Sequence, residues 1–326
     1  MINSRLSKKF NLDHPVMSAP MANAAGGALA AAVSRTGGLG IIGGAYGDLD
    51  WIEDQFAKAQ GEAVGCGLIT WVLAERPEVL TAVLEHAPAA IFLSFGDPSH
   101  HVNEVFASGI PLICQVQTLE DAKQAAELGV DVIVAQGAEA GGHGEKRATF
   151  TLVPEIADWL ANNSHDTLLV AAGGIADGRG IAASMLLGAD GVLVGSRFWA
   201  SQEALVHPNM HKAAINATGD DTIRSQVMDI ARDLNWPERF TCRVLRNEFT
   251  DKWHENPGLL MEDLSGQSKL WKDAWNAGDI DIANTFVGEV AGQISAIRPA
   301  AEILQDMVLE AEELLSADWL SPSGMA

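Results

Sequence analysis

Short apolar runs alternate with amphipathic segments along the first two thirds of the chain. The runs are largely apolar without regular alternation and are bounded by glycine, proline or polar residues, which is typical of strands in a parallel sheet that is covered on both faces. A helical segment follows each run. The predicted strands are 15–21, 39–44, 63–71, 90–95, 111–116, 130–136, 167–172 and 191–196, and the predicted helices are 24–35, 49–59, 77–86, 99–108, 118–128, 153–162, 178–187 and 202–217.

Eight strand–helix units within the first 217 residues favour an α/β fold of the TIM (β/α)8 barrel type. An open doubly wound sheet is the alternative. That fold commonly carries Gly-x-Gly-x-x-Gly after its first strand, and no such motif follows the first strand here. The sequence therefore predicts a barrel that closes at the eighth strand.

The alternation of strands and helices stops after residue 217. The following residues are rich in helix formers and tryptophan, and 299–315 is predicted to be a long amphipathic helix. We therefore expect two parts, a barrel over residues 1–217 and a C-terminal helical extension over residues 218–326 that packs on it. The tryptophans of the extension are expected in its core; they are Trp236, Trp253, Trp271 and Trp275.

Composition indicates a globular protein, with 48% hydrophobic and 20% charged residues. The formal net charge of -22 argues against nucleic acid or an anionic membrane as a partner, because both require a basic face. No apolar run reaches the length of a membrane span, and the first residues lack the apolar core of a signal peptide. The chain is therefore expected to be cytoplasmic and to act on a small molecule, with its oligomeric state open.

Cysteine and histidine spacing predicts neither disulfides nor a metal site. The three cysteines are too few and too scattered for a disulfide framework or a cysteine-rich zinc site. Cys66 and Cys114 lie in apolar strand-like runs, where inert core thiols are expected. His207 and His211 have a spacing that suits one helix face, but Pro208 interrupts them and no local carboxylate completes a site.

A glycine-rich loop with one histidine follows the sixth predicted strand. Residues 136–145 are Gln-Gly-Ala-Glu-Ala-Gly-Gly-His-Gly-Glu. Because glycine costs backbone entropy, it is typical of positions that need a positive φ or a close approach. We therefore expect Gly141 and Gly142 to lie against a flat ligand, with the titratable side chain of His143 directed at it. An ordinary glycine-rich surface loop is the alternative.

Glycine also follows the seventh and eighth predicted strands, at positions that suit a phosphate group. In a TIM barrel the loops after the strands gather at one face, and the last two loops are the usual phosphate site. Glycines there allow backbone N–H groups to converge on phosphate oxygens, and a serine hydroxyl adds a donor. The residues concerned are Ala172, Gly173, Gly174, Gly195 and Ser196. Tight turns without a ligand are the alternative.

A phosphate at that position fits a mononucleotide such as FMN laid across the barrel mouth, beside the Pro20-Met21 turn. The isoalloxazine ring of FMN is flat and largely apolar, and its polar edges need hydrogen-bond partners. Gln115 and Gln136, in the fifth and sixth predicted strands, are placed to supply amides. Because a buried neutral amide is costly unless it is hydrogen-bonded, we expect a ligand or a buried partner for each.

Four motifs together resemble the nitronate monooxygenase family, formerly called 2-nitropropane dioxygenases. They are Ala19-Pro20-Met21, Gln136-Gly-x-Glu-Ala-Gly-Gly-His143, Ala172-Gly173-Gly174-Ile175-x-Asp177-Gly178-Arg179 and Gly188-Ala-Asp-Gly191-Val-x-x-Gly195-Ser196-Arg197-Phe198. The resemblance extends from about residue 10 to residue 200 and returns weakly at residues 288–293. The family also includes FMN-dependent NADH:quinone reductases and is related to the flavin-dependent enoyl-ACP reductases.

The resemblance implies non-covalently bound FMN and the oxidation of alkyl nitronates or nitroalkanes by O₂ to a carbonyl compound and nitrite. His143 matches the catalytic histidine of the family. Its imidazole would take a proton from a nitroalkane carbon or, as imidazolium, pair with a nitronate, while the flavin carries the redox step. The residues expected to line the cofactor are Ala19, Pro20, Met21, Gln115, Gln136, Gly141, Gly142, Ala172, Gly173, Gly174, Gly195 and Ser196.

The chain departs from the family pattern in ways that bear on the substrate. Many relatives carry asparagine in the third strand, where this chain has Gly65-Cys66-Gly67-Leu68, and a basic residue in the fifth-strand region, where it has Gln115. An FMN-dependent NAD(P)H:quinone reductase or enoyl reductase on the same scaffold is therefore the alternative function. A flavin-free sugar-phosphate isomerase or lyase is disfavoured, because the strands and their ends show no lysine.

Overall fold

The barrel predicted from the apolar runs is present in the computed structural model, which describes residues 2–317. Within these residues the strands are β1 Val16–Ser18, β2 Ile41–Gly43, β3 Gly65–Ile69, β4 Ile91–Ser94, β5 Leu112–Val116, β6 Val132–Gln136, β7 Gly142–Gly144, β8 Leu168–Ala172, β9 Gly191–Val194, β10 Thr222–Ser225 and β11 Thr241–Leu245.

Helices of the same residues separate the strands and fill much of the C-terminal third. They are α1 Arg5–Phe10, α2 Gly27–Arg35, α3 Leu49–Lys58, α4 Thr70–Glu75, α5 Glu78–Glu85, α6 Val102–Ser108, α7 Leu119–Glu127, α8 Thr149–Asn163, α9 Gly178–Leu186, α10 Ser196–Trp199, α11 Pro208–Ile215, α12 Val227–Ala231, α13 Glu248–Trp253, α14 Pro257–Glu262, α15 Leu264–Ala277 and α16 Ala300–Ser316. Short 3-10 turns occur at Pro98–His100, Gly219–Asp221 and Glu289–Gln293.

Eight strands form one parallel sheet in the order β1-β9-β8-β6-β5-β4-β3-β2. The first and last strands of this order also meet, because Met17 forms a parallel bridge with Leu39. The Ser18 amide donates to the Leu39 carbonyl at 3.0 Å, and the Leu39 amide donates to the Val16 carbonyl at 2.9 Å. The sheet thus closes on itself, and the predicted TIM barrel is confirmed.

The barrel strands are apolar on both faces because each face packs against a different layer. Side chains such as Met17, Phe92 and Val134 belong to a cluster that fills the barrel interior. Their strand neighbours, such as Leu93 and Ile133, pack in a second cluster with the surrounding helices. Leu6 of α1 joins the interior cluster. Two-sided burial explains why the strand pattern in the sequence is continuous rather than alternating.

The eighth barrel helix is α16, and the prediction that 202–217 takes this place is wrong. Helix α16 packs against α9 and α2, the helices that follow β8 and β1. The shorter α11, within the predicted segment, instead contacts the 3-10 turn Glu289–Gln293. The chain leaves the barrel after β9 and returns to it at residue 300. Hydrophobic periodicity identifies a helix but not the element it packs against. The sequence alone therefore could not show whether the segment 202–217 or α16 is the eighth barrel helix.

Residues after 217 are not purely helical, which corrects the predicted helical extension. Strands β10 and β11 pair in antiparallel fashion, and β11 also pairs with β7 from the loop after β6. Three of the four residues of β10 are buried, and Arg224 is partly exposed. The boundary at residue 217 stays a prediction, and the part of the extension over residues 318–326 lies outside the described residues.

Candidate active site

A cavity of about 590 Å³ lies at the carboxyl ends of the barrel strands. It is lined by the turns that follow the strands and by residues of the C-terminal third. All of the candidate site residues from the sequence line this one cavity; they are Ala19, Pro20, Met21, Gln115, Gln136, Gly141, Gly142, His143, Ala172, Gly173, Gly174, Gly195 and Ser196. Their individual roles stay predictions.

The turns after β8 and β9 present unused backbone donors to the cavity. Gly173 and Gly174 have φ angles of +96° and +76°, in the region that favours glycine. The Ser196 hydroxyl accepts a hydrogen bond from the Gly288 amide at 2.9 Å, which leaves its own proton free to donate. No acceptor within residues 2–317 bonds the amide N–H groups of Gly173, Gly174, Gly195 and Ser196. This donor set suits an anionic group such as a phosphate.

The third strand departs from the family pattern at Gly67, the position where many relatives carry asparagine. A Cβ atom added to Gly67 would lie 2.3 Å from Cβ of Pro20, in the turn after β1. A side chain at position 67 would therefore require the Pro20 turn to shift. In this chain the third strand instead contributes backbone to the cavity wall at this position.

The Gly141 backbone lies directly against the segment that carries the weaker family match. A Cβ atom on Gly141 would lie 2.6 Å from the amide nitrogen of Gly288 and 2.6 Å from the carbonyl carbon of Val287. Two arginines fix the same loop from the other side. Arg224 and Arg243 both donate to the Ala138 carbonyl, at 3.1 Å and 3.0 Å for their shortest bonds. The loop is thus held between barrel and C-terminal third.

The substitution Gly141→Ala is expected to destabilise the protein by about 1–3 kcal/mol, because the added methyl group meets backbone that cannot move without shifting two segments. Chemical denaturation followed by circular dichroism measures this change. Gly258→Ala is the matched control, since a Cβ atom on Gly258 has no neighbour within 4 Å. In helix α14 that substitution should stabilise by about 0.5–1 kcal/mol. Equal effects of the two substitutions would contradict the tight contact at Gly141.

The two glutamines differ in how their amides are used. The Gln136 amide donates from Nε2 to the His143 carbonyl at 3.1 Å. Its Oε1 accepts from Gln117 Nε2 at 2.8 Å. Gln136 therefore has the buried partners that its position requires, and it fixes the backbone at His143. The Gln115 side chain has no hydrogen-bond partner within the described residues and is available to a ligand.

His143 is held in a strand rather than in a free loop. In β7 its backbone pairs with that of Cys242 in β11. The imidazole stacks on Trp236, with ring centroids 3.4 Å apart and an interplanar angle of 6°. Phe95, whose φ of +64° is unusual for a non-glycine residue, meets the imidazole at 69°. Strand pairing and ring packing together fix the orientation of the imidazole.

His143 is bonded to a buried carboxylate. Imidazole Nε2 lies 2.8 Å from Asp229 Oδ2, and the two side chains are 9% and 4% exposed. Burial lowers the pKa of His143 below its ordinary value, although the hydrogen bond and charge of Asp229 act in the opposite direction. Burial thus favours the neutral imidazole over the imidazolium. With its Nε2 proton donated to Asp229, its Nδ1 carries the free lone pair, and no described residue hydrogen-bonds that atom.

Three residues at or next to His143 in the C-terminal third were not identified from the sequence. They are Asp229, Arg232 and Trp236. A signal existed for Asp229, because it interrupts the otherwise apolar run of α12, Val-Met-Asp-Ile-Ala. The tryptophans were expected in the core, and Trp271 lies in a core cluster with Trp253 and Trp275 packed against it. Trp236, Trp271 and Trp275 also line the cavity, which was not predicted.

The cysteines of the barrel strands are buried. Burial raises the pKa of the Cys66 and Cys114 thiols to about 12, so both are inert, as expected. Within residues 2–317 no cluster of three or more His, Cys, Asp or Glu side chains has the form of a metal site. The helices of this part of the chain include none that is long and apolar enough to cross a membrane.

Fold and site define a class of protein, the TIM barrels with a ligand cavity at the carboxyl ends of their strands. Within this class the chain belongs to the nitronate monooxygenase family, because the sequence profile described as "Nitronate monooxygenase" matches residues 3–64 and 72–310. The resemblance seen in the motifs is thereby confirmed. Membership makes the protein an oxidoreductase of a flavin-dependent family that acts on small molecules.

Known proteins share both sequence and fold with this chain. A nitronate monooxygenase of Neurospora crassa is 33% identical, with 91% of this chain and 89% of the relative covered. A nitronate monooxygenase of Metarhizium robertsii is 34% identical over 93% and 92%. The solved structure of FabK from Thermotoga maritima has a TM-score of 0.83 at 28% identity, covering 97% of this chain and 98% of the other.

Proposed function

We propose that this protein oxidises alkyl nitronates and nitroalkanes with FMN as cofactor and O₂ as acceptor, which yields a carbonyl compound and nitrite. Membership of the nitronate monooxygenase family supports the reaction class. The observation that carries the proposal is the carboxylate-bonded imidazole of His143 in the same cavity as the unused backbone donors. Removal of a substrate proton next to a bound cofactor requires a base in the cavity that binds the cofactor.

The cavity residues fit FMN. The amides of Gly173, Gly174, Gly195 and Ser196 form a donor set for its phosphate. The apolar turn Ala19-Pro20-Met21 and the glycines of the 141–142 loop would line the ring system, and the unpaired amide of Gln115 would serve its polar edge. Gln136 contributes by fixing the loop rather than by presenting a free amide. When bound, FMN supplies the two-electron redox chemistry that the side chains lack.

Side chains of the protein accept the substrate proton and stabilise the resulting charge. Nδ1 of His143 accepts a proton from the carbon that bears the nitro group. The Asp229 carboxylate, bonded to Nε2, stabilises the imidazolium that forms and keeps the ring in the required tautomer. Trp236 stacks on one face of the ring and Phe95 packs against it at a steep angle, so that little of the ring is exposed to water. A nitronate has already lost this proton, so it needs binding but no base.

An FMN-dependent NAD(P)H:quinone reductase or enoyl reductase on the same barrel is the second candidate. The similarity to FabK over nearly the whole chain favours it. Such an enzyme takes its electrons from a nicotinamide, whereas a nitronate monooxygenase takes them from the nitronate. The electron donor therefore separates the two functions.

The purified protein is expected to show flavin absorbance. Anaerobic ethyl nitronate should bleach it rapidly and NADH or NADPH only slowly, and air should then restore the colour with release of nitrite. Stopped-flow absorbance measures the bleaching, and a colorimetric assay measures nitrite. Rapid bleaching by a nicotinamide and none by the nitronate would favour the reductase. A protein that stays colourless after incubation with FMN would refute both functions.

A further inference from the structure

Arg232 stands out among the residues that line the cavity. The formal net charge of the chain is -22. Among the described residues that line the cavity, however, Arg232 is the only arginine, and none is lysine, aspartate or glutamate. The cavity therefore presents a positive charge without a carboxylate on its wall. A cavity of this kind favours an anionic ligand.

The Arg232 guanidinium is surrounded by aromatic rings and not by hydrogen-bond acceptors. Its central carbon lies 5.0 Å from the ring centre of Tyr46, 5.7 Å from that of Trp271 and 5.8 Å from that of Phe286. The side chain is 17% exposed. None of its nitrogens hydrogen-bonds to an acceptor within residues 2–317. Largely buried guanidinium groups normally bond acceptors, so five unused donors beside a cavity require an explanation.

Asp229 does not supply that explanation. Its Oδ1 lies 3.8 Å from a terminal guanidinium nitrogen of Arg232, which is an ion-pair distance but too long for a hydrogen bond. Its Oδ2 is already bonded to His143. Asp229 thus orients and partly neutralises Arg232 while leaving its donors free. The arrangement places a fixed positive group on one side of Asp229 and the base on the other.

We propose that Arg232 is the residue that binds the planar two-oxygen group of anionic substrates, so that the affinity of the site for anions depends on this side chain. The inference rests on the proposed function and assigns a binding residue to it. A guanidinium fork matches two coplanar oxygens, a geometry that nitronate and carboxylate groups share. The aromatic rings around Arg232 lower its exposure to water and strengthen the pairing.

Substrate comparison in an Arg232→Gln variant tests the proposal. We expect the KM for ethyl nitronate to rise roughly 10- to 150-fold, as for the loss of a charged hydrogen-bond pair, and the KM for neutral nitroethane to stay unchanged. A rise confined to 3-nitropropionate would identify a carboxylate as the bound group and would also support the proposal. Equal changes for neutral and anionic substrates, or no change, would overturn it. Arg246→Gln is the control, since it removes the same charge from a side chain that is 53% exposed.

A binding measurement without turnover gives a second readout. Nitrate is a planar oxyanion, and Trp236 and Trp271 line the same cavity, so tryptophan fluorescence should change saturably with sodium nitrate and not with sodium chloride. The change should vanish in Arg232→Gln and be partly retained in Arg232→Lys, which keeps the charge without the fork. Flavin content and melting temperature verify that both variants are folded. A saturable nitrate response that persists in Arg232→Gln, or that the unaltered protein lacks, would overturn the proposal.

The proposed function and the anion site at Arg232 can be refuted separately. If the unaltered protein does not oxidise nitronates, the proposed function is refuted, while the nitrate titration still decides whether Arg232 binds anions. If nitronates are oxidised and Arg232→Gln behaves like Arg246→Gln, the function stands and the anion site is refuted.

Discussion

His143→Gln is expected to lower kcat/KM for nitroethane by about 10²–10⁴-fold, the usual contribution of a positioned general base. Glutamine fills much of the same space but cannot accept the proton. Ethyl nitronate, which needs no deprotonation, should lose far less activity. Steady-state nitrite release from both substrates measures the difference, and the ratio of the two losses isolates the proton transfer from any change in flavin binding.

His100→Ala is the control for this experiment, because His100 is an exposed residue of the 3-10 turn Pro98–His100 and does not line the cavity. It should leave both activities unchanged. If His143→Gln lowered the two activities by the same factor, His143 would act in binding or packing and not as a base. If neither activity changed, the proton would be removed by another group.

The sequence predicted the barrel and the wall of the cavity because both depend on local signals. Each strand is a continuous apolar run, and the chain order of a TIM barrel places every strand end at one mouth. Glycine turns such as Gly173-Gly174 could therefore be assigned to the site without knowledge of any contact. All of the candidate residues line one cavity, while their roles stay predictions.

The partners of His143 could not be predicted in this way. Asp229 lies 86 positions from His143 in the chain, and Trp236 lies further still. Both belong to the C-terminal third, whose sequence pattern does not indicate which barrel residues it contacts. The three-residue strand β7 has no strand pattern of its own, since it is Gly-His-Gly and forms only because β11 pairs with it. The contacts of His143 therefore depend on tertiary pairing, which the local sequence does not predict.

The C-terminal third thus contributes to the candidate site as well as to packing. Strand β11 fixes the backbone of His143, and α12 carries Asp229 with Arg232 immediately after its end. The carboxylate lies between the imidazole and the guanidinium. Any change at Asp229 should therefore alter both the protonation of the base and the orientation of the cation, which makes its substitution the sharpest test of the arrangement.

Asp229→Asn is expected to lower kcat/KM for nitroethane by about 10²–10⁴-fold, because an asparagine can donate to Nε2 and so move the imidazole proton to Nδ1, the atom that must accept. The loss for ethyl nitronate should be smaller. Asp251→Asn is the matched control, since its carboxylate is 65% exposed and pairs with Arg246 outside the cavity.

The pH dependence of kcat/KM for nitroethane tests whether Asp229 raises or lowers the pKa of His143. In the unaltered protein the base form of His143 is present above its pKa, which burial lowers, so activity with nitroethane should fall only as the pH drops through a value below about 6.5. Asp229 raises the pKa of His143 relative to burial alone. Removing its charge should therefore move the acid limb of the kcat/KM profile to lower pH while the plateau falls. A limb that moved to higher pH, or a plateau equal to that of Asp251→Asn, would show that Asp229 does not control the protonation of His143.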